Sequence, residues 1–171
     1  MNTGFPESDA LAAFARERRR QWLAKIASRL TMKPRDTLLM PRLDNVVAAL
    51  GRAAEHDLGL QPIPLESIVG TVDRRSGEFD RQFRPTSSRL QTRWQKISVA
   101  RRRGETMPPI DVYRVGDLHF VTDGHHRVSV ARAHGDTTID ARVREVQTTV
   151  AARHELTVSD RRLAREVPSC W

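Results

Sequence analysis

At 171 residues the chain suits one domain, or one small domain with an accessory element, and it can bury a core without disulfides or a structural metal. With 39% hydrophobic and 29% charged residues it reads as a soluble globular protein. No apolar stretch approaches the roughly 18 residues of a membrane span, and the first residues lack the basic-then-apolar layout of a secretory signal. The expectation is therefore a cytoplasmic protein with no membrane partner. The single cysteine, Cys170, excludes an intrachain disulfide, a CxxC motif and a cysteine-based zinc site.

The net charge of +8 is unevenly placed, because residues 59–103 carry ten basic side chains against four acidic ones. Arg74, Arg75, Arg81, Arg84, Arg89, Arg93 and the triplet Arg101-Arg102-Arg103 make up most of that excess. Such a surface attracts phosphates, on a nucleotide or on a nucleic acid. The alternative is a solvated arginine-rich face, in keeping with 26 arginines to 3 lysines across the chain.

In chain order, the spacing of Leu11, Phe14, Ala15, Trp22, Ile26 and Leu30 predicts a first helix ending before Pro34. Leu43, Val46, Val47, Leu50, Ala54 and Leu58 predict a second, stopped by Gly59. Residues 63–69 read as a short strand, and 71–85 as an irregular charged loop. Thr86, Ser87 and Ser88 offer caps for a helix through Leu90, Trp94, Ile97 and Ala100 that ends in cations and Gly104. Alternation on either side of Gly116-Asp117 predicts a β-hairpin. A helix from Gly124 to Gly135 and a half-buried strand at 138–143 follow. The expected organisation is a helical element over 1–60, an α/β (α+β) domain with a small mixed sheet over 61–147, and a partly ordered helical tail over 148–171.

One run carries most of the chemistry: Asp123-Gly124-His125-His126-Arg127, where a strand passes through glycine into a helix. A helix amino end offers backbone N–H groups and the positive end of the dipole to an anion. His125, His126 and Arg127 add donors for phosphate oxygens, and Gly124 allows the ligand to approach the backbone. Asp123 can cap the helix, hold a histidine tautomer, or bind Mg²⁺ bridging the phosphates. The competing account is a capped helix with surface histidines. Trp94 is expected in the core rather than as a base-stacking platform. With nine aromatics the chain lacks the interleaved pattern of a single-strand binder. The run at 16–20, four arginines and Glu17, is read as a solvated helix face, with DNA binding as the minor alternative.

On these residues, the stretch from 63 to 146 resembles a ParB/sulfiredoxin-like domain. Sulfiredoxins carry Gly-Cys-His-Arg at this junction, ParB proteins Gly-Glu-Arg-Arg, and the ParB-fold free serine kinases Asp-Gly-His-x-Arg. The last matches best, through Asp123, Gly124, His125 and Arg127. The resemblance implies a nucleotide (ATP, ADP or CTP) held by its phosphates at 124–127, with Arg84, Ser87 and Arg89 as secondary ligands. It also implies possible roles for His125 and Asp123 in Mg²⁺-assisted phosphoryl transfer or hydrolysis. His125 stands at the sulfiredoxin cysteine position, which excludes sulfinic acid reduction. Too few residues follow 147 for the DNA-binding and dimerisation domains of a partitioning ParB. A nuclease would need further carboxylates, for which Asp73, Glu78 and Asp80 are the candidates. The second expectation, of a different class, is a DNA-binding regulator or ParB-like nuclease acting through the basic 74–103 surface.

Overall fold

The computed structural model describes residues 5–30, 40–72 and 77–149. Four helices and five strands follow in the order α1 (Pro6–Leu30), α2 (Leu43–Leu50), β1 (Arg52–Pro64), β2 (Ile68–Thr71), α3 (Gln91–Arg102), β3 (Ile110–Val115), β4 (Leu118–Asp123), α4 (His125–His134) and β5 (Thr138–Thr148). The strands form one mixed sheet in the order β1-β5-β3-β4-β2. β3 and β4 are the expected antiparallel hairpin. β5 lies parallel to β3 on one side, and β2 lies parallel to β4 on the other. The α/β class with a small mixed sheet is thus the one expected.

Alternation along the strands sorts the core onto two faces. Ile110 and Val112, Val121, and Ala141 and Val143 point to one face, where they meet Phe14, Leu90, Trp94, Val128 and Val130 from α1, α3 and α4. Val115, Leu118, Phe120 and Val146 point to the other, under Leu43 of α2. Trp94 is a core residue, as expected. It is fully buried, its indole N–H donates to Ser129 Oγ at 2.9 Å, and Phe14 meets it edge-on at 5.5 Å.

Two expectations about the amino-terminal region do not hold. The second helix stops at Leu50, eight residues short of Leu58. Gly51, at φ +71°, closes it with an N–H to Val47 oxygen, and β1 then runs for 13 residues along β5. Ala54 and Leu58 share a helical stripe with Leu50 on paper, but β5 supplies an antiparallel partner that local periodicity cannot register. In α1 the buried stripe is Asp9, Ala10, Ala13, Phe14 and Glu17, and Leu11 and Trp22 are exposed. Alanines let α1 lie close to α3, and Arg102 of α3 reaches Asp9 at 2.6 Å. The strand expected at 63–69 is divided by a 3-10 turn (Leu65–Ser67) between β1 and β2. The tail beyond 149 and residues 73–76, with Asp73, Arg74 and Arg75, lie outside the described residues. Among the described residues no helix is long and apolar enough to cross a membrane.

Phe14 joins α1 to the core through Trp94. Phe14→Ala should lower the unfolding free energy by about 3 kcal/mol, with an unchanged denaturant slope. A loss below about 1 kcal/mol in chemical denaturation would mean that α1 adds little to the core.

Candidate functional site

The strand-to-helix junction is built around Gly124. It sits at φ +107° as the N-cap residue of α4, and an added Cβ would lie 2.4 Å from Ile110 Cγ2 and 2.8 Å from Ile110 Cβ. Glycine is required both by its backbone conformation and by the neighbouring strand. No side chain caps α4. The helical ladder opens with the N–H of Val128 donating to Gly124 oxygen at 3.0 Å, so the amides of His126 and Arg127 lie ahead of it. Asp123 does not act as the cap. Its carboxylate, 61% exposed, pairs with Arg127 Nη2.

Arg127 is held from three sides, and its side chain is only 13% exposed. Nη1 donates to the carbonyl oxygens of Pro108 and Pro109, at 2.6 Å each, while Nη2 meets Asp123. The guanidinium therefore fastens the segment before β3 to the end of β4 and the first turn of α4. Charge-assisted bonds of this kind are stronger than neutral ones.

His125 points back under the sheet edge. Thr71 Oγ1, fully buried at the end of β2, donates to Val121 oxygen at 3.3 Å and lies 2.7 Å from His125 Nε2. The ring is further stacked between Phe79 and Phe83, at centroid distances of 6.3 and 6.1 Å. His126 presents its ring edge-on to Phe79 at 5.0 Å, and its Nδ1 is buried with no hydrogen-bond partner. Burial, with the charges of Arg93 and His125, lowers its pKa from 6.5 to about 4. It is neutral at physiological pH.

The loop expected to be irregular packs against the two histidines. Asp80 is buried, and its Oδ1 accepts from the N–H groups of Gln82 and Arg84 while Oδ2 accepts from Arg84 Nε at 2.8 Å. The turn holds Phe83 at φ +59°, a left-handed conformation rarely taken by an aromatic residue. Arg132 of α4 packs its guanidinium over the Phe83 ring, 4.9 Å from the centroid, with Nη2 donating to the oxygens of Leu65 and Ile68. Asp80 is thus a structural carboxylate, and Arg84 is bound to it. Ser87 caps the 3-10 turn (Ser88–Leu90) ahead of α3 by accepting from the N–H of Arg89 at 3.2 Å, and the Arg89 side chain is exposed. Among the described residues no three His, Cys, Asp or Glu side chains converge on a position for a metal ion.

The structure thus brings Asp123, Gly124, His125, His126 and Arg127 together on one turn and gives them unequal surroundings. Thr71, Phe79, Phe83, Arg93 and Arg132 were not expected at the site. A lone threonine or phenylalanine in an irregular stretch carries no periodic signal. The i, i+4 spacing of Phe79 and Phe83 was the one available hint. Two members of the basic triplet are also committed, Arg101 to Asp136 and Arg102 to Asp9.

No family model matches the chain, and no curated protein is detectably similar to it in sequence. Among solved structures it is similar to sulfiredoxin from Arabidopsis thaliana, at 24% identity and a TM-score of 0.39, covering 57% of this chain and 97% of the other.

Gly124→Ala should cost at least about 2 kcal/mol of stability, from the left-handed backbone and the contact with Ile110 together. A melting temperature within a degree of wild type would show that the junction relaxes freely.

A second expectation concerns acid. His119 is buried with Nδ1 2.8 Å from Ser67 Oγ, whose hydroxyl donates to Pro64 oxygen at 2.6 Å. Burial and Arg114 lower its pKa to about 4; His126 is lowered equally, and burial lowers His134. The unfolded chain, with histidines near 6.5, binds more protons than the folded one between about pH 4 and 6.5. Stability from these groups is therefore complete above pH 6.5 and is lost as pH falls toward 4. In His119→Asn, whose amide still donates to Ser67, the melting temperature should fall less steeply over that window than in wild type. Parallel profiles for the two proteins would refute the assignment.

Proposed function

We propose that the chain binds a nucleotide through its phosphates at the amino end of α4. The observation that carries this reading is a helix start with no side-chain cap, opened by a glycine that neither a Cβ nor its backbone angle would permit to be anything else. The Asp-Gly-His-x-Arg run and the ParB/sulfiredoxin-like resemblance of residues 63–146 support the same reading. The backbone of Gly124 and the amides of His126 and Arg127 are the proposed phosphate donors. Arg93, whose charge reaches His126, supplies the nearby cation, with exposed Arg89 in the 3-10 turn ahead of α3. Arg127 contributes chiefly by holding the junction in shape. Arg84 is withdrawn from the ligand by Asp80, and Ser87 by its capping bond.

Mg²⁺ would come with the nucleotide, bound to phosphate oxygens with Asp123 as a carboxylate beside the helix start; magnesium often binds this way. It would supply charge neutralisation on the phosphates. A transfer or hydrolysis step would draw on His125, fixed by Thr71 and the two phenylalanines, as acid or base. DNA binding through residues 74–103 is not favoured, because Arg84, Arg101 and Arg102 each already face a carboxylate.

Calorimetric titration with ATP, ADP, CTP and the matching nucleosides, with and without Mg²⁺, tests the reading. At least one nucleotide should bind and its nucleoside should not. Arg93→Gln should weaken that binding by about three- to tenfold, the effect of one charge at a partly exposed site, without altering thermal stability. Because His126 is neutral, affinity should change only modestly from pH 8 to 6. Absence of nucleotide binding in every arm would overturn the proposal.

A further inference from the structure

Helix α1 is apolar on two sides. Its inner side puts Ala13 and Phe14 into the core, with Asp9, Ala10 and Glu17 buried beside them. Its outer side carries Leu11, Ala12, Ala15, Trp22 and Leu23, all exposed, which the helical repeat gathers onto one strip. Trp22 is 58% exposed. Of the six large hydrophobic residues exposed among the described ones, Phe5, Leu11, Trp22 and Leu23 lie on α1 or directly ahead of it, so the exposure is concentrated rather than scattered. A surface helix ordinarily has one apolar stripe and a polar face opposite it. The second stripe of α1 is therefore a surface built to be covered.

Charge decides what covers it. Arg16 and Arg20 follow one margin of the strip, Arg18 the other, and Arg19 lies on the strip itself. The carboxylates of the helix are Glu7 in the first turn, Asp9 held by Arg102, and Glu17 held by Arg20. Arg16, Arg18 and Arg19 form no ion pair among the described residues, unlike the arginines that tie the core. A second copy would lay its own arginines against these, because residues 16–20 straddle the middle of the strip, and like charges brought together are costly. A lipid surface would have to take the Arg19 guanidinium into its apolar layer. A nucleic acid offers phosphates but no aliphatic surface for Leu11 and Leu23. A helix whose apolar stripe is flanked by Asp and Glu satisfies the leucines, the tryptophan and the arginines together. We infer that the outer face of α1 docks an acidic amphipathic helix of a partner protein. The docking is independent of nucleotide binding. From Leu11 to Leu23 the strip runs about 18 Å, an interface below standard size, so the complex is a weak one.

The test uses the full chain without nucleotide and two labelled peptides of three heptads, with Leu at a and d. One has Glu at every e and g position and the other Lys, so neither pairs well with itself. Fluorescence anisotropy at pH 7 should give the Glu peptide a dissociation constant on the order of 10 to 100 µM. The Lys peptide should bind at least tenfold more weakly. Trp22→Gln alters no charge and should weaken the Glu peptide at least about fivefold, as loss of an aromatic anchor does. The double variant Arg16→Glu, Arg19→Glu changes two exposed side chains, should melt as wild type does, and should prefer the Lys peptide. That variant still has a net charge of about +4, so attraction to the chain as a whole would leave the Glu peptide preferred. The inference fails if the Glu peptide does not bind, if Trp22→Gln binds it as wild type does, or if the double variant keeps the wild-type preference. It also fails if wild type dimerises, or binds equimolar phosphatidylcholine–phosphatidylserine vesicles, and Trp22→Gln abolishes this, which would assign the strip to a second copy or to lipid.

Discussion

The arrangement depends on a single half-buried cation. The side chain of Arg127 spans from the first turn of α4 to the carbonyls of Pro108 and Pro109 and to Asp123, joining the segment before β3, the end of β4 and the helix that follows. These pieces meet where Gly124 passes against Ile110 with no room for a side chain. A guanidinium suits the task because its planar fork can serve several acceptors at once without losing its charge. Remove it, and two proline carbonyls and a carboxylate lose their partner beside the same turn.

Around that anchor the two histidines acquire different characters from nearly identical sequence positions. His125 turns toward Thr71, whose Oγ1 lies 2.7 Å from its Nε2, and stacks on Phe79 and Phe83. His126 turns toward Arg93 and is kept neutral by burial and by the positive charges beside it. The wall that enforces this difference is itself held by Asp80 and Arg132, two charged residues spent on backbone amides, carbonyls and an aromatic face. Much of the arginine content is used in this way. Arg84, Arg101, Arg102, Arg127 and Arg132 all serve as internal ties, which leaves less free positive surface than the composition suggests.

Helix α4 has an uncapped amino end and a cleft along one side. Its amino end presents backbone donors and the positive end of the dipole. Its Val130 and Ala131 side faces a cleft bounded by the end of α3 and the start of β5. Arg127 belongs to both, since Pro108, which it holds, is part of the cleft wall.

How much was legible in the sequence differs by element. Residues 110–135 were readable because every signal there is local. Alternation about Gly116-Asp117 makes a hairpin, and glycines bound a ten-residue helix at both ends. The Asp-Gly-His-His-Arg run marks the site because a glycine at a strand-to-helix junction with imidazoles and a guanidinium is unusual in itself. Residues 52–58 were not readable, since their apolar spacing fits a helix and only β5, nearly ninety residues later, makes them a strand. The buried face of α1 was likewise decided by α3, which selects alanines over Leu11 and Trp22 for close approach. Sequence alone determined the class of fold and the turn proposed as the phosphate site. Tertiary structure decided the state of each group on that turn: Asp123 tied rather than capping, Arg127 anchoring, His126 neutral, His125 oriented by Thr71. The physical reason is that a side chain's charge and hydrogen-bonding capacity belong to its surroundings, and these were supplied by residues distant in the chain.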